Sequence, residues 1–141
     1  MIRGSCLCGG IAIEVERVAY LRHCHCSNCR KETGSAFGTV AAVKPSDFRF
    51  VRGEDLVHHY TYPPDGTRAF CRVCGSKAPL RLLNDTIVAV PAGLLDGDPG
   101  VRPVLHQFAG SKACWWEITD TLPQFEKWVP GYEPVWSREP R

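Results

Sequence analysis

No stretch of the chain approaches the roughly 18 apolar residues of a membrane-spanning helix. Its first ten residues, MIRGSCLCGG, hold no apolar run of the kind that opens a secretory leader. A membrane protein and a secreted one are therefore set aside, and the expected location is cytoplasmic. Basic runs are as scarce, none being longer than the pair Arg30 and Lys31. With 17 Lys and Arg against 15 Asp and Glu the formal net charge is only +2, and no aromatic set is interleaved with Lys or Arg, so no nucleic-acid partner is expected. Internal repeats, low-complexity segments and linkers are missing too, and 141 residues make about one domain with one core.

Cysteine is plentiful by contrast. Eight of them are still fewer than the roughly 8–10% that marks a small disulfide scaffold. In a reducing compartment, closely spaced cysteines point to metal ligands or reactive thiols. Seven of them as thiolates around two zinc ions would turn the small positive charge slightly negative, which removes the apparent basicity as a clue to partners.

Between the cysteines the chain reads mostly as strands. Ile11, Ile13 and Val15 alternate with Ala12, Glu14 and Glu16, the period of a half-buried strand. Segments 36–43, 48–51, 56–62, 86–90 and 104–108 are short, rich in β-formers and bounded by Gly, Pro or Asp. Pro45, Gly53, PPDG (63–66), NDT (84–86) and DGDPG (96–100) mark the turns. The expected fold class is mainly β. One short helix is expected near TDTLPQFEKW (119–128), with Asp120 or Thr121 as its cap and Pro123 in the first turn. Residues 129–141 read as an irregular tail.

The cysteines fall into two groups. Cys6 and Cys8 in CLCGG pair with Cys71 and Cys74 in CRVCG: two sulfurs grip one tetrahedral ion from a tight turn, and the following Gly permits a positive φ. A shared ion would tie the N-terminus to the middle of the chain, and four sulfurs would fill its tetrahedron, the arrangement of a structural site. The bland alternative is that Cys6 and Cys8 are merely buried. Cys24, Cys26 and Cys29 in HCHCSNC then stand alone, and three ligands with one open position are the arrangement of a catalytic zinc. A soft three-thiolate site suits a substrate thiol as fourth ligand. His23 or His25 could instead close the site, or, pointing away from Cys24 and Cys26 on an extended segment, lie at the surface or support the thiolates from behind.

Several neighbours carry weaker signals. Arg22, Arg30 and Lys31 could pair with substrate carboxylates but read more simply as a solvated face. Gly34 and Ser35 read as a turn, Cys114 as a small buried residue, and Phe37, Phe48, Phe50, Phe70 and Trp115 as core.

GSCLCGG, HCHCSNCRKETGSAF (23–37) and FCRVCGSKAP (70–79), in that order, resemble the glutathione-dependent formaldehyde-activating enzyme family. The likeness runs from about Gly4 to Pro79 and more loosely to WWEITDTLPQFEKW (115–128). It implies an Mss4-like zinc-containing fold of two packed antiparallel sheets with one short C-terminal helix, spanning residues 1–128. It also implies a structural zinc at Cys6, Cys8, Cys71 and Cys74 and a catalytic zinc at Cys24, Cys26 and Cys29. The implied reaction joins glutathione sulfur to formaldehyde, giving S-(hydroxymethyl)glutathione, and its reverse makes the enzyme a carbon–sulfur lyase. His23 or His25 is then the candidate for moving the proton of the hemithioacetal hydroxyl. The competing reading is a non-catalytic zinc scaffold that binds a thiol such as glutathione or docks on a protein partner.

Overall fold

The computed structural model describes residues 1–63, 66–82 and 85–130. Eleven strands and one helix are described in chain order: β1 (Ile2–Ser5), β2 (Ala12–Val15), β3 (Tyr20–Cys24), α1 (Ser27–Thr33), β4 (Gly38–Val43), β5 (Phe48–Arg52), β6 (Val57–Tyr62), β7 (Gly66–Cys71), β8 (Leu80–Leu82), β9 (Ile87–Pro91), β10 (Leu95–Asp96) and β11 (Pro103–Gln107). They form a four-stranded sheet ordered β10-β1-β2-β5, a five-stranded sheet ordered β11-β3-β4-β9-β8, and the hairpin β6-β7. The mainly β class is what the sequence predicts. Five of the six predicted strands fall within a residue or two of observed ones, and the sixth, residues 11–15, is β2.

Alternation builds the core. Ile13 and Val15 from β2, Ala41 and Val43 from β4, and Val88 and Val90 from β9 are almost fully enclosed and pack with Ile11, Val18, Leu21 and Phe48. Burying such aliphatic chains contributes about 1.5–3 kcal/mol each.

Two expectations need correction. The five-stranded sheet is mixed rather than wholly antiparallel, because β11 runs parallel to β3, with Leu21 opposite Pro103, His23 opposite His106 and Cys24 opposite Gln107. The predicted helix at 119–128 does not form, and the described helix is Ser27–Thr33. Residues 123–127 lie instead along the far side of β11. His106 N–H donates to the Pro123 carbonyl (2.8 Å), Phe125 N–H to the His106 carbonyl (2.9 Å) and Ala109 N–H to the Phe125 carbonyl (2.9 Å). A helix there would have left that strand edge unpaired, whereas the extended course satisfies backbone groups on both sides. Asp120, expected as a helix cap, accepts from Leu122 N–H and from His106. Trp115 is 69% exposed and Cys114 is exposed, so neither belongs to the core as expected. The turns at 63–66 and 84–86, and the tail beyond residue 130, lie partly or wholly outside the described residues.

Gly53 locks the turn after β5 against the turn between β1 and β2. Its φ is +75°, and a Cβ there would sit 2.1 Å from the Gly10 carbonyl oxygen. Backbone cannot yield as a flexible side chain does, so Gly53→Ala is expected to cost about 3 kcal/mol or more. A thermal melt should show it as a fall of roughly 6–12 °C.

Candidate metal centres

The first centre forms where two turns meet. In the β1–β2 turn, Gly9 N–H donates to the Cys6 carbonyl, and after β7 Gly75 N–H donates to the Cys71 carbonyl. Gly9 and Gly75 follow the second cysteine of each pair and have φ of +74° and +76°, the conformation expected of them. Amides also point at sulfur: Gly10 N–H donates to Cys8 Sγ (3.4 Å) and Ile11 N–H to Cys6 Sγ (3.3 Å). Ser76 stitches the two turns, its Oγ accepting from Leu7 N–H at 3.0 Å while lying 3.2 Å from Cys74 Sγ. That contact with Ser76 pulls the Cys74 thiol down to about 5.

The four sulfurs lie within 4.8 Å of one another. A tetrahedral ion with sulfur at about 2.3 Å sets neighbouring sulfurs roughly 3.8 Å apart. Cys6 to Cys8 at 3.5 Å and Cys8 to Cys71 at 3.9 Å bracket that spacing. The residues fit a four-coordinate metal.

The second centre is built on the passage from β3 into α1. Cys24 ends the strand, Cys26 is the helix N-cap, and Cys29 is the buried residue of α1. Cys29 N–H donates to Cys26 Sγ at 3.2 Å, so one sulfur caps the helix that carries another. Gly34, at φ +64°, closes the helix by donating its N–H to the Arg30 carbonyl. This is the turn read from Gly34 and Ser35.

All three sulfurs lie within 4.8 Å, and no His, Asp or Glu atom among the described residues joins them. The three cysteines are buried. Without metal they share one negative charge: hydrogen bonds from the Cys24 and Cys29 thiols, the Cys29 amide and the charge of Arg68 pull Cys26 down to about 3. The Cys24 thiol is pushed well up by its contacts with Cys26 and Cys29 and by burial. A cation replaces those shared protons and releases them, the behaviour of a metal site assembled from thiols.

The structure adds Gln107, which the sequence reading missed. The parallel pairing of β11 with β3 sets it beside Cys24, where its Nε2 donates to Cys24 Sγ at 3.7 Å while its Oε1 is buried with no partner. Nothing in the local pattern of LHQF flags this, because it depends on a strand pairing across more than eighty residues.

The histidines lie behind the sulfurs, on the side their parity predicts, but not at the surface. His25 is fully buried and His23 half-buried, and both rings pack against Phe37 and His106. His23 Nδ1 lies 2.8 Å from Thr39 Oγ1. His25 Nε2 lies 2.7 Å from His106 Nδ1, and His106 Nε2 lies 2.9 Å from the Asp120 carboxylate. The Asp120 carboxylate accepts from His106 Nε2–H, and His106 Nδ1 and His25 Nε2 share one proton between them. His25 Nδ1 is buried and without a hydrogen-bond partner. Burial, then His106, push His25 down to about 4, so its ring is neutral at pH 7. His106 was not singled out in the sequence, and Asp120 only as a helix cap.

Fold and sulfur geometry together define a mainly β protein with two metal-capable cysteine centres. The family model for the glutathione-dependent formaldehyde-activating enzyme matches residues 1–111. The chain belongs to that family. A crystal structure of a Rhodobacter sphaeroides protein is similar at 31% identity and a TM-score of 0.56, covering 68% of this chain and 89% of the other. No protein of curated function matches the chain. No described helix is long and apolar enough to cross a membrane.

Proposed function

We propose that the chain is a zinc-dependent carbon–sulfur lyase that joins glutathione, or a related thiol, to formaldehyde, or a related aldehyde, and cleaves the adduct in reverse. The observation that carries this reading is the buried trio Cys24, Cys26 and Cys29, three sulfurs within 4.8 Å with no fourth protein ligand among the described residues. Family membership supports it. When bound there, zinc would supply an electrophile able to hold a thiolate at neutral pH or polarise an aldehyde oxygen.

The chain's own residues do the rest. In the forward direction a carbon–sulfur bond forms, the carbonyl π pair moves to oxygen, and the thiol proton ends on the new hydroxyl. Gln107 holds Cys24 Sγ by a hydrogen bond, and Arg68 places its charge near Cys26 and Cys29. His25, hydrogen-bonded to His106 and through it to Asp120, and His23 beside it are the candidates for moving that proton from behind the sulfurs. Burial of the sulfurs keeps bulk water from competing for the aldehyde.

Cys6, Cys8, Cys71 and Cys74 are proposed to hold a structural zinc, giving two ions per chain. The zinc domain is taken as residues 1–128 with 129–141 as a tail; Phe108 N–H bonding to the Lys127 carbonyl and the Phe108–Trp128 ring contact support including the last of these residues. A cytoplasmic location fits this use of thiols as metal ligands.

Exchange NMR of a formaldehyde and glutathione mixture tests the reading. Protein carrying two zinc ions is expected to speed interconversion of free and adduct signals at least about tenfold over the spontaneous rate, and chelation should abolish the gain. No acceleration with both ions verified would remove formaldehyde activation with glutathione and leave a thiol-binding role.

A further inference from the structure

β11 delivers two successive side chains to the three-cysteine centre. Its register with β3 sets His106 opposite His23, behind the sulfurs, and Gln107 opposite Cys24. Along a regular strand the next side chain would turn away again. Phe108 instead takes φ +57°, a left-handed conformation that a bulky residue rarely adopts, and it packs with the sulfur trio and against Trp128. This strained turn lets Gln107 and Phe108 both reach the same centre.

Gln107 is itself costly where it stands. It is 2% exposed, its Nε2 donates to Cys24 Sγ at 3.7 Å, and its Oε1 is buried without a partner. An orphaned buried acceptor destabilises a fold, and leucine, similar in size, would fill the position without one. The main chain does not need the amide either, because the Gln107 carbonyl accepts from His25 N–H at 2.9 Å whatever the side chain is. What glutamine supplies and leucine lacks is an N–H on sulfur. The other two sulfurs have support of their own: Cys26 receives the Cys29 amide, and the charge of Arg68 acts on both Cys26 and Cys29. Outside the trio, Gln107 is the side chain that serves Cys24 among the described residues.

We infer that Gln107 is a positioning residue that tunes the three-cysteine centre through Cys24. Three thiolates around a divalent ion leave one negative charge in a buried place, and a substrate thiolate would add a second. An N–H aimed at sulfur draws off part of that charge. The centre then holds its ion more firmly, and the sulfur donates less to the ion and leaves it a stronger electrophile. The value of this to catalysis rests on the proposed lyase reading, whereas the hydrogen bond to sulfur stands apart from it.

Gln107→Leu in the full chain separates tuning from support. The melting temperature is expected to hold or rise, while affinity for zinc at the second centre falls about tenfold or more in competition with a chromogenic chelator. With cobalt(II) in place of zinc, the sulfur-to-metal charge-transfer band should move to lower energy, because a sulfur relieved of its N–H gives up electrons more readily. A folded variant whose affinity and band both match those of the unaltered protein would overturn the inference and leave glutamine as packing alone. In the unaltered protein loaded with cadmium-113, the Gln107 side-chain N–H should show scalar coupling to the ion through Cys24 Sγ. Absence of that coupling would overturn the inference equally, whether or not the variant folds. Coupling and a shifted band in a protein that does not speed formaldehyde–glutathione exchange would sink the lyase reading and leave the role of Gln107 standing. Full exchange in Gln107→Leu with the band unmoved would do the reverse.

Discussion

Cys71→Ala is expected to leave one zinc per chain instead of two and to lower the melting temperature by about 8–16 °C. Cys71 is fully buried at the end of β7, its N–H donates to the Ser76 carbonyl, and its sulfur lies 3.9 Å from Cys8 Sγ. A metal held by the four sulfurs would cross-link the β1–β2 turn to the turn after β7 and confine a loop of some sixty residues. Structural zinc in small peptides is worth roughly 10–16 kcal/mol of apparent binding energy at neutral pH. Losing one of four ligands forfeits part of that, at least about 4 kcal/mol, and each kcal/mol is roughly 2–4 °C for a chain of this size. Metal analysis on the folded fraction and melts at fixed free zinc check both halves. An unchanged ion count would mean that the two pairs do not share a metal.

How far the sequence could be read depends on the range of the interaction that decides each feature. The four-sulfur centre was legible because its geometry is local: Cys-x-Cys-Gly and Cys-x-x-Cys-Gly each specify a turn, and Gly9 and Gly75 have the positive φ that such turns demand. The strands were legible from alternation, as in Ile11, Ile13 and Val15. The helix was misplaced because both candidate segments are short and neither has an apolar period. Ser27–Thr33 buries Cys29 alone and owes its start to Cys26 and its end to Gly34, signals hidden inside a motif that reads first as a ligand set. Residues 123–127 carry helix-start residues, yet the open edge of β11 offers them better-satisfied backbone bonds. The histidine arrangement was half legible. Parity placed His23 and His25 on the face away from the sulfurs, but His106, Asp120 and Gln107 reach the site through a parallel pairing and a return strand that no local pattern announces. The same holds for Arg68 and Lys77, which meet Glu32 only once the hairpin has folded over α1.

Cys26→Ser should divide chemistry from stability. Serine is close in shape and among the best N-cap residues, so its oxygen can take the hydrogen bond that Cys29 N–H now gives to Cys26 Sγ, and α1 should persist. The core of the two larger sheets lies in a separate cluster from Cys24, Cys26, Cys29 and Phe108, so the melting temperature should move by only a few degrees. The sulfur trio fares differently. Cys26 is the thiolate around which the Cys24 and Cys29 thiols donate, and a hydroxyl neither ionises at neutral pH nor matches a soft ion. The second zinc should be lost while the first is retained, and glutathione–formaldehyde exchange should fall back to the spontaneous rate, a loss of at least about tenfold, or roughly 1.4 kcal/mol of barrier. A folded variant with one ion and no exchange would place the reaction at the three-cysteine centre. Full activity with that centre empty would move the chemistry elsewhere and reduce the trio to a prop for the helix.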